Sequence, residues 1–329
     1  MRESLGRVVA TLAVVTPFLL GASSGPPAAD EGEVAFRFTD PEIIESSGLL
    51  ALGRGPDRRF VTVNDSGDAA RVFVVDGDTG ETTAEVTYPG EPDDVEALAP
   101  AGRDAVWVAD IGDNTRSRGS VSVRRVPLDG SAGAAFELTY PGGPRDAEAL
   151  LTHPMTGQLL VVSKVVFGGQ VYAAPTDLSA DQPNAMTALG DVTGIVTDAA
   201  FFPDGRHFVV RTYTQAVVYA WPSIEMIGTF ELPAQQQGEG IAVSSDGEVF
   251  VSSEGREAPV LRIDLPGDVL KEMEAPEPSA PPSPEPEPDE PVDVFAQAAA
   301  DRPVLPWAAG LLVFLALIWV AARASRPPR

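Results

Sequence analysis

Cysteine is absent from this 329-residue chain, which removes disulfides, thiolate metal sites and thiol nucleophiles from consideration. Histidine occurs only at His153 and His207, and lysine only at Lys164 and Lys271. Positive charge is scarce overall: 23 Lys and Arg face 48 Asp and Glu, for a formal charge of −25. Affinity for phosphate backbones comes largely from Lys and Arg, so this balance excludes DNA and RNA as partners. Also missing are a G-x-S-x-G elbow, an H-E-x-x-H helix, a phosphate-cradling glycine loop and a dinucleotide fingerprint.

Long hydrophobic runs occur only near the two ends. Arg2 and Arg7 precede an apolar stretch from Val8 to Leu20 and small residues up to Ser24. A basic start, a short apolar run and a small-residue exit predict a secretory signal peptide over residues 1–24. The second run, Pro306 to Ala322, is uncharged, is flanked by Trp307 and Trp319, and is followed by Arg323, Arg326 and Arg329. As a helix it covers roughly 26 Å, enough to span a bilayer with interfacial anchoring. A transmembrane helix over residues 304–322 and a cytoplasmic basic tail over 323–329 are therefore expected, by the positive-inside rule. Residues 269–303 are dense in Pro and Glu, a composition that cannot bury enough apolar surface to order itself. They predict a disordered, polyproline-like stalk reaching at most about 100 Å. The protein is thus expected at the cell membrane as a single-pass protein, its membrane partnership made through the C-terminal helix.

The remaining residues, 34–268, alternate short β-rich segments with Gly, Pro, Asp and Asn turns. One motif recurs: S-S-G-L ending at Leu49, V-E-A-L at Leu98, A-E-A-L at Leu150, D-A-A-F at Phe201 and G-E-G-I at Ile241. Each is followed by further strand segments, four per repeat in the first four units. This spacing is that of a β-propeller blade. The fifth repeat lacks its outer strand, and V-A-F-R-F (Val34 to Phe38) supplies a spare one. The fold class expected is all-β: a five-bladed propeller, with six blades as the alternative, closed by the N-terminal strand so that no sheet edge is left open.

In such a ring, the loop entering each inner strand and the loop between second and third strands share one face. Entry loops bring Glu45, Asp93, Asp94, Glu96, Asp146, Glu148, Asp198 and Glu239 there. The second set brings Asn64, Asp65, Asp110, Asp113, Asn114, Lys164, Arg211, Tyr213 and Glu254. Two unit charges about 4 Å apart interact by about 4 kcal/mol at an effective dielectric of 20, so converging carboxylates must hold protons, pair with Lys164 and Arg211, or bind a cation. Oxygen-only donors without His or Cys suit Ca²⁺ or Mg²⁺ over zinc. Metal candidates are Asp65, Asp110, Asp113 and Asn114. Ligand-binding candidates are Asn64, Asp65, Asp94, Glu96, Asp146, Glu148, Lys164, Asp198, Arg211, Tyr213, Glu239 and Glu254. Should there be catalysis, Glu96 or Glu148 would act as base, with Lys164 and Arg211 holding an anion. Both histidines map to the opposite face, which removes most Ser-His schemes. The D-G-D-T-G stretch at Asp76 to Gly80 resembles a calcium loop, but its position between third and fourth strands predicts a hairpin turn.

The segments E-S-S-G-L, V-N-D-S-G, D-V-E-A-L, V-A-D-I-G-D-N, T-D-A-A-F and G-E-G-I-A resemble a family of exported, membrane-anchored bacterial β-propellers of undefined function, described as WD40-like or phytase-like by fold. The resemblance covers residues 40–265, and the W-D and G-H marks of WD40 repeats are missing. It implies an extracellular binding or sensing module that holds a ligand or an exported protein through its charged axial face. The alternatives are a divalent-metal-dependent hydrolase of phosphoester, lactone or glycan substrates, and a structural cell-surface protein.

Overall fold

The structure, a computed structural model, describes residues 32–65 and 67–275. The expected signal peptide, the transmembrane helix, the basic tail and the stalk beyond Ala275 lie outside the described residues.

Five antiparallel sheets follow one another along the chain. The first holds β2 (Ser46–Leu52), β3 (Arg59–Asn64), β4 (Arg71–Asp76) and β5 (Thr82–Thr87). The second holds β6 (Val95–Pro100), β7 (Ala105–Asp110), β8 (Val121–Pro127) and β9 (Ala135–Thr139). The third holds β10 (Ala147–Thr152), β11 (Leu159–Ser163), β12 (Gly169–Ala173) and β14 (Thr187–Val192). The fourth holds β15 (Val196–Phe201), β16 (His207–Thr212), β17 (Gln215–Ala220) and β18 (Met226–Glu231). The fifth holds β19 (Gly238–Val243), β20 (Val249–Ser253) and β21 (Pro259–Ile263), and its outer strand is β1 (Glu33–Arg37). A two-residue strand, β13 (Asn184–Ala185), adds in parallel to the outer edge of the second sheet.

The burial gradient explains why this sequence makes blades. Inner strands are continuous apolar runs, and β2 is buried at every position. Outer strands such as β5 alternate and are mostly exposed. Apolar residues on both faces of each sheet then pack against the neighbouring blades, giving five cores, one per blade boundary. Leu50, Val61 and Val72 meet Leu98, Val106 and Val126 at the first boundary, for example. Each inner strand adjoins the next, and β19 returns to β2, so the ring of five blades is closed. The expected closure by the N-terminal strand is observed: β1 pairs antiparallel with β21, with Val34 opposite Leu261 and Phe36 opposite Val260.

Two details differ from the sequence reading. A stalk is expected from residue 269, but Gly267–Glu274 forms a helix, α1, whose Val269 is buried against the fourth and fifth blades. In the fourth repeat the structural equivalent of V-E-A-L is V-T-D-A (Val196 to Ala199), since Val196 pairs with Thr212 as Val95 pairs with Asp110. The D-A-A-F segment therefore sits two residues out of register. The stretch Asp76 to Gly80 is a hairpin turn, in which the Asp76 carboxylate accepts the amides of Asp78 (3.1 Å) and Thr79 (2.8 Å).

Candidate functional site

The recurring motif marks a β-bulge at the start of every inner strand. The register between inner and second strands shifts at Ser46/Leu49, Val95/Ala97, Ala147/Ala149, Val196/Asp198 and Gly238/Ile241. A bulge frees a residue from the ladder and re-aims its side chain. The first residues so freed are Ser47, Glu96, Glu148, Thr197 and Glu239, at equivalent places around the axis. All five are buried. The two hydroxyls tie blades together, Ser47 donating to the Glu96 carbonyl (2.8 Å) and Thr197 to the Glu239 carbonyl (2.9 Å). Of the three glutamates only Glu148 has an ion-pair partner, Lys164, and their charge dominates the site.

Among these three, Glu96 is the most perturbed. Burial pushes its carboxyl up to about 10, and Glu148, Asp65 and Asp94 push in the same direction. Asp94 is raised by burial and then by Asp65. Glu239 reaches about 8 by burial and the field of Glu148. Glu254 reaches about 7 by burial, then Asp65 and Glu45. Glu148 is held to about 7, because burial is partly offset by Lys164, whose Nζ lies 2.5 Å from its Oε1. Burial alone would lower the Lys164 ammonium, but Glu148 outweighs it and the group sits above its ordinary range. Tyr213, half-buried beside Glu239 and Lys164, is raised to about 12 by burial and by Glu239.

Within this acidic face, Asp65, Asp94 and Glu96 each place a carboxylate oxygen within 4.8 Å of the others. Asp65 comes from the loop after β3, Asp94 from the loop entering β6, and Glu96 from the β6 bulge. Gly112 lies directly against them. A Cβ there would stand 2.4 Å from Asp94 Oδ2 and 2.6 Å from Glu96 Oε1. The D-I-G-D-N loop thus needs glycine at that point so that its backbone can pass beside two carboxylates.

Other residues of the same face hold the loops in place. Asn64 accepts the amides of Ile44 and Glu45 (both 3.1 Å) and donates to the Glu42 carbonyl and Asp68, which occupies its amide fully. Asp110 does the same one blade on, accepting the amides of Asp93 and Asp94 (both 3.1 Å) and pairing with Arg118 at 2.8 Å. Asp113 accepts from the amides of Ser117 (2.9 Å) and Arg118 (2.8 Å), and those bonds hold its carboxyl below its usual range against the opposing effect of burial. Asn114 is exposed in that turn. Asp146 accepts the Asp113 amide at 2.9 Å across a blade boundary. Asp198, wholly buried, accepts the amides of Ala199 and Ile241 (both 2.8 Å). Burial raises it well above the carboxylate range, opposed by those amides and by Arg211.

Arg211 does not reach the open face. It is fully buried and donates to the carbonyls of Gly240 (2.5 Å) and Ser252 (2.6 Å) and to Gln235 (2.7 Å). Complete burial lowers it to about 10. It therefore pins the fourth blade to the fifth. Its replacement by Met should destabilise the fold by about 3–5 kcal/mol in a denaturant titration, since two carbonyls lose a buried donor and Asp198 loses a countercharge.

The sequence reading placed both histidines away from this face, and they are turn residues there. His153 Nδ1 accepts the amides of Met155 and Thr156 (both 3.2 Å), while Nε2 lies 3.1 Å from the Gly205 carbonyl. His207 Nδ1 lies 2.7 Å from Asp204. Ser47, Thr197 and Gly112 were missed from sequence. Their signal was the repeat itself, once aligned by bulge instead of by hydrophobic position.

No family model matches the chain, and no curated protein matches it. Among solved structures, a gluconolactonase from Xanthomonas campestris is similar at 15% identity, covering 62% of this chain and 69% of that one, with a TM-score of 0.39. A similarity at that level says nothing about substrate. The propeller stands on its own geometry, and membership of the exported family suggested by the motifs receives no support from these comparisons.

Proposed function

We propose that the protein is an exported, membrane-anchored propeller that binds a divalent cation, Ca²⁺ or Mg²⁺, on its acidic axial face and uses that face to hold an extracellular ligand. The observation that carries this reading is the Asp65–Asp94–Glu96 cluster, three oxygen donors from two blades converging within 4.8 Å. A carboxyl pushed up to about 10, as Glu96 is, marks a place where negative charge is unbalanced. Hard divalent ions take such all-oxygen sets. Lys164 and Tyr213 sit across the axis and supply a cation and a hydroxyl for an anionic or hydroxylated ligand. Asp110, Asp113 and Asn114 are left out of the proposed ligand set, because the first two spend their carboxylates on backbone amides and Asn114 points its turn to solvent.

A thermal-shift titration of the full chain with Ca²⁺ and Mg²⁺ against EDTA tests this. A cation at a hundredfold excess over Kd adds about 2.7 kcal/mol of stability. Identical melting with and without either ion would remove the proposal. Gly112→Ala sharpens the test. Its methyl displaces the Asp94 and Glu96 carboxylates, so cation affinity, read as the difference in melting between Ca²⁺ and EDTA for the same variant, should fall at least tenfold.

A second reading is hydrolysis of a phosphoester, lactone or glycan at this face. It is favoured by Glu148, which titrates near 7 beside Lys164 and so could take a proton from water at neutral pH. The bound cation would polarise the scissile group. Loss of turnover in Glu148→Gln with cation binding retained supports this reading over simple binding.

A further inference from the structure

The far end of the axis carries a second feature. A cavity of about 830 Å³ opens on the turn face, opposite the acidic cluster. All five inner strands line it, through Leu52, Leu98, Leu151, Phe201 and Val243 among others. Each inner strand is the inner edge of its sheet, so the walls combine apolar side chains with the backbone groups of that edge.

The lining stops short of the acidic cluster. At the acidic end the inner strands are drawn together by the Ser47 to Glu96 and Thr197 to Glu239 bonds (2.8 and 2.9 Å) and by the Ile241 amide on Asp198 at 2.8 Å. Gly48 lets β2 close onto β6, where a Cβ would stand 2.7 Å from the Leu98 nitrogen. The lining starts one step beyond these ties, at Leu49, Leu98, Leu150, Ala199 and Ile241, and ends at the hairpin turns. Small-molecule sites are concave, mostly apolar, and roughly 300–1,000 Å³.

Charge at the mouth narrows the ligand. Three charged side chains line it: Arg54, Arg103 and Asp57. Neighbouring arginines are committed elsewhere, Arg58 to Asp246 and Glu248 and Arg59 to Asp104. Arg54 and Arg103 are exposed and make no ion pair among the described residues. His153, also in the lining, has Nδ1 occupied by the amides of its own turn and Nε2 by the Gly205 carbonyl in the turn of the next blade. In a chain of net charge −25, an apolar pocket rimmed by two arginines that form no ion pair among the described residues suits an anion.

We propose that this axial funnel binds a small, largely apolar carboxylic acid, its body against the inner strands and its carboxylate at Arg54 and Arg103. The site is separate from the acidic face and does not depend on the cation.

Isothermal titration calorimetry on the full chain in phospholipid nanodiscs, with empty nanodiscs subtracted, tests it with 4-phenylbutyrate and its neutral counterpart 4-phenylbutyramide. The acid should bind saturably, one per chain, and at least tenfold more tightly than the amide. Arg54→Glu with Arg103→Glu, both at exposed positions, should erase that preference. Thr152→Trp, which fills the funnel, should abolish binding of both compounds and leave the Ca²⁺-dependent melting shift intact. Should the tryptophan variant fail to fold, the arginine pair still decides. The proposal is overturned by the absence of saturable heat above empty nanodiscs, by equal affinity for acid and amide, or by an unchanged preference in the double arginine variant.

Discussion

In EDTA, the protein should unfold at a lower temperature at pH 9 than at pH 5, by roughly 10 °C, and millimolar Ca²⁺ should remove most of the difference. The direction follows from the raised carboxyls. Glu239 titrates near 8, Glu148 and Glu254 near 7, and Glu96 near 10, all above the unfolded value of 4.5. The folded state therefore binds more protons than the unfolded chain between about pH 4.5 and those values. Stability is fully present below 4.5 and is lost as the pH climbs through the folded values. A tenfold difference in proton affinity between the two states corresponds to about 1.4 kcal/mol. Glu254 is partly exposed and contributes little, and Glu148 is already compensated by Lys164, so the net loss is on the order of a few kcal/mol. For a domain of this size, 1 kcal/mol moves Tm by about 2–4 °C. Differential scanning fluorimetry across pH checks the result, and Glu239→Gln should flatten the profile. General self-repulsion of an acidic chain would instead be relieved by monovalent salt. Full restoration by NaCl alone would count against a buried cluster.

Phe36→Ala should cost about 3–5 kcal/mol, the usual range for a buried Phe truncation. Phe36 is 4% exposed and lies 5.6 Å from Phe38 and 4.9 Å from Phe60, ring to ring, while Phe60 lies 5.0 Å from Phe250. These rings join β1 to the first and fifth blades. Deleting residues 33–38 should do more, since it bares the edge of β21 and invites aggregation. Val34→Ala is the control: Val34 is 49% exposed, and its loss should be within about 1 kcal/mol. A denaturant midpoint that falls equally for Phe36→Ala and Val34→Ala would show that the closing strand is dispensable.

The blades were legible because a propeller repeats its constraints. Each inner strand must be apolar on both faces, each turn needs Gly, Asp or Asn, and the missing outer strand of the last repeat pointed to Val34–Phe38. The axial acids were legible too, through the Glu of V-E-A-L, A-E-A-L and G-E-G-I. The fourth repeat misled because its bulge carries Thr197, while Asp198 beside it looks like the acid of the pattern but faces backbone amides. Asp110 and Asp113 looked like metal donors by type, yet their oxygens satisfy amides that no strand reaches. Arg211 looked like an anion anchor, and its burial is decided by a neighbouring blade some 27 residues on, at Gly238, against which its guanidinium packs. Local sequence cannot report a partner that distant. The helix Gly267–Glu274 was hidden by the proline-rich composition just after it.

The pairing of β1 with β21 also fixes how the disc responds to a pull. Glu33 lies opposite Arg262, so the beginning of one strand and the finish of the other meet at the same end of their ladder. Force applied through the two would peel that ladder open one rung at a time, like a zipper, with no rung sharing the load of the next. Under tension the weakest seam is therefore the one that closes the ring, and the other four blades would feel the strain only after it had parted.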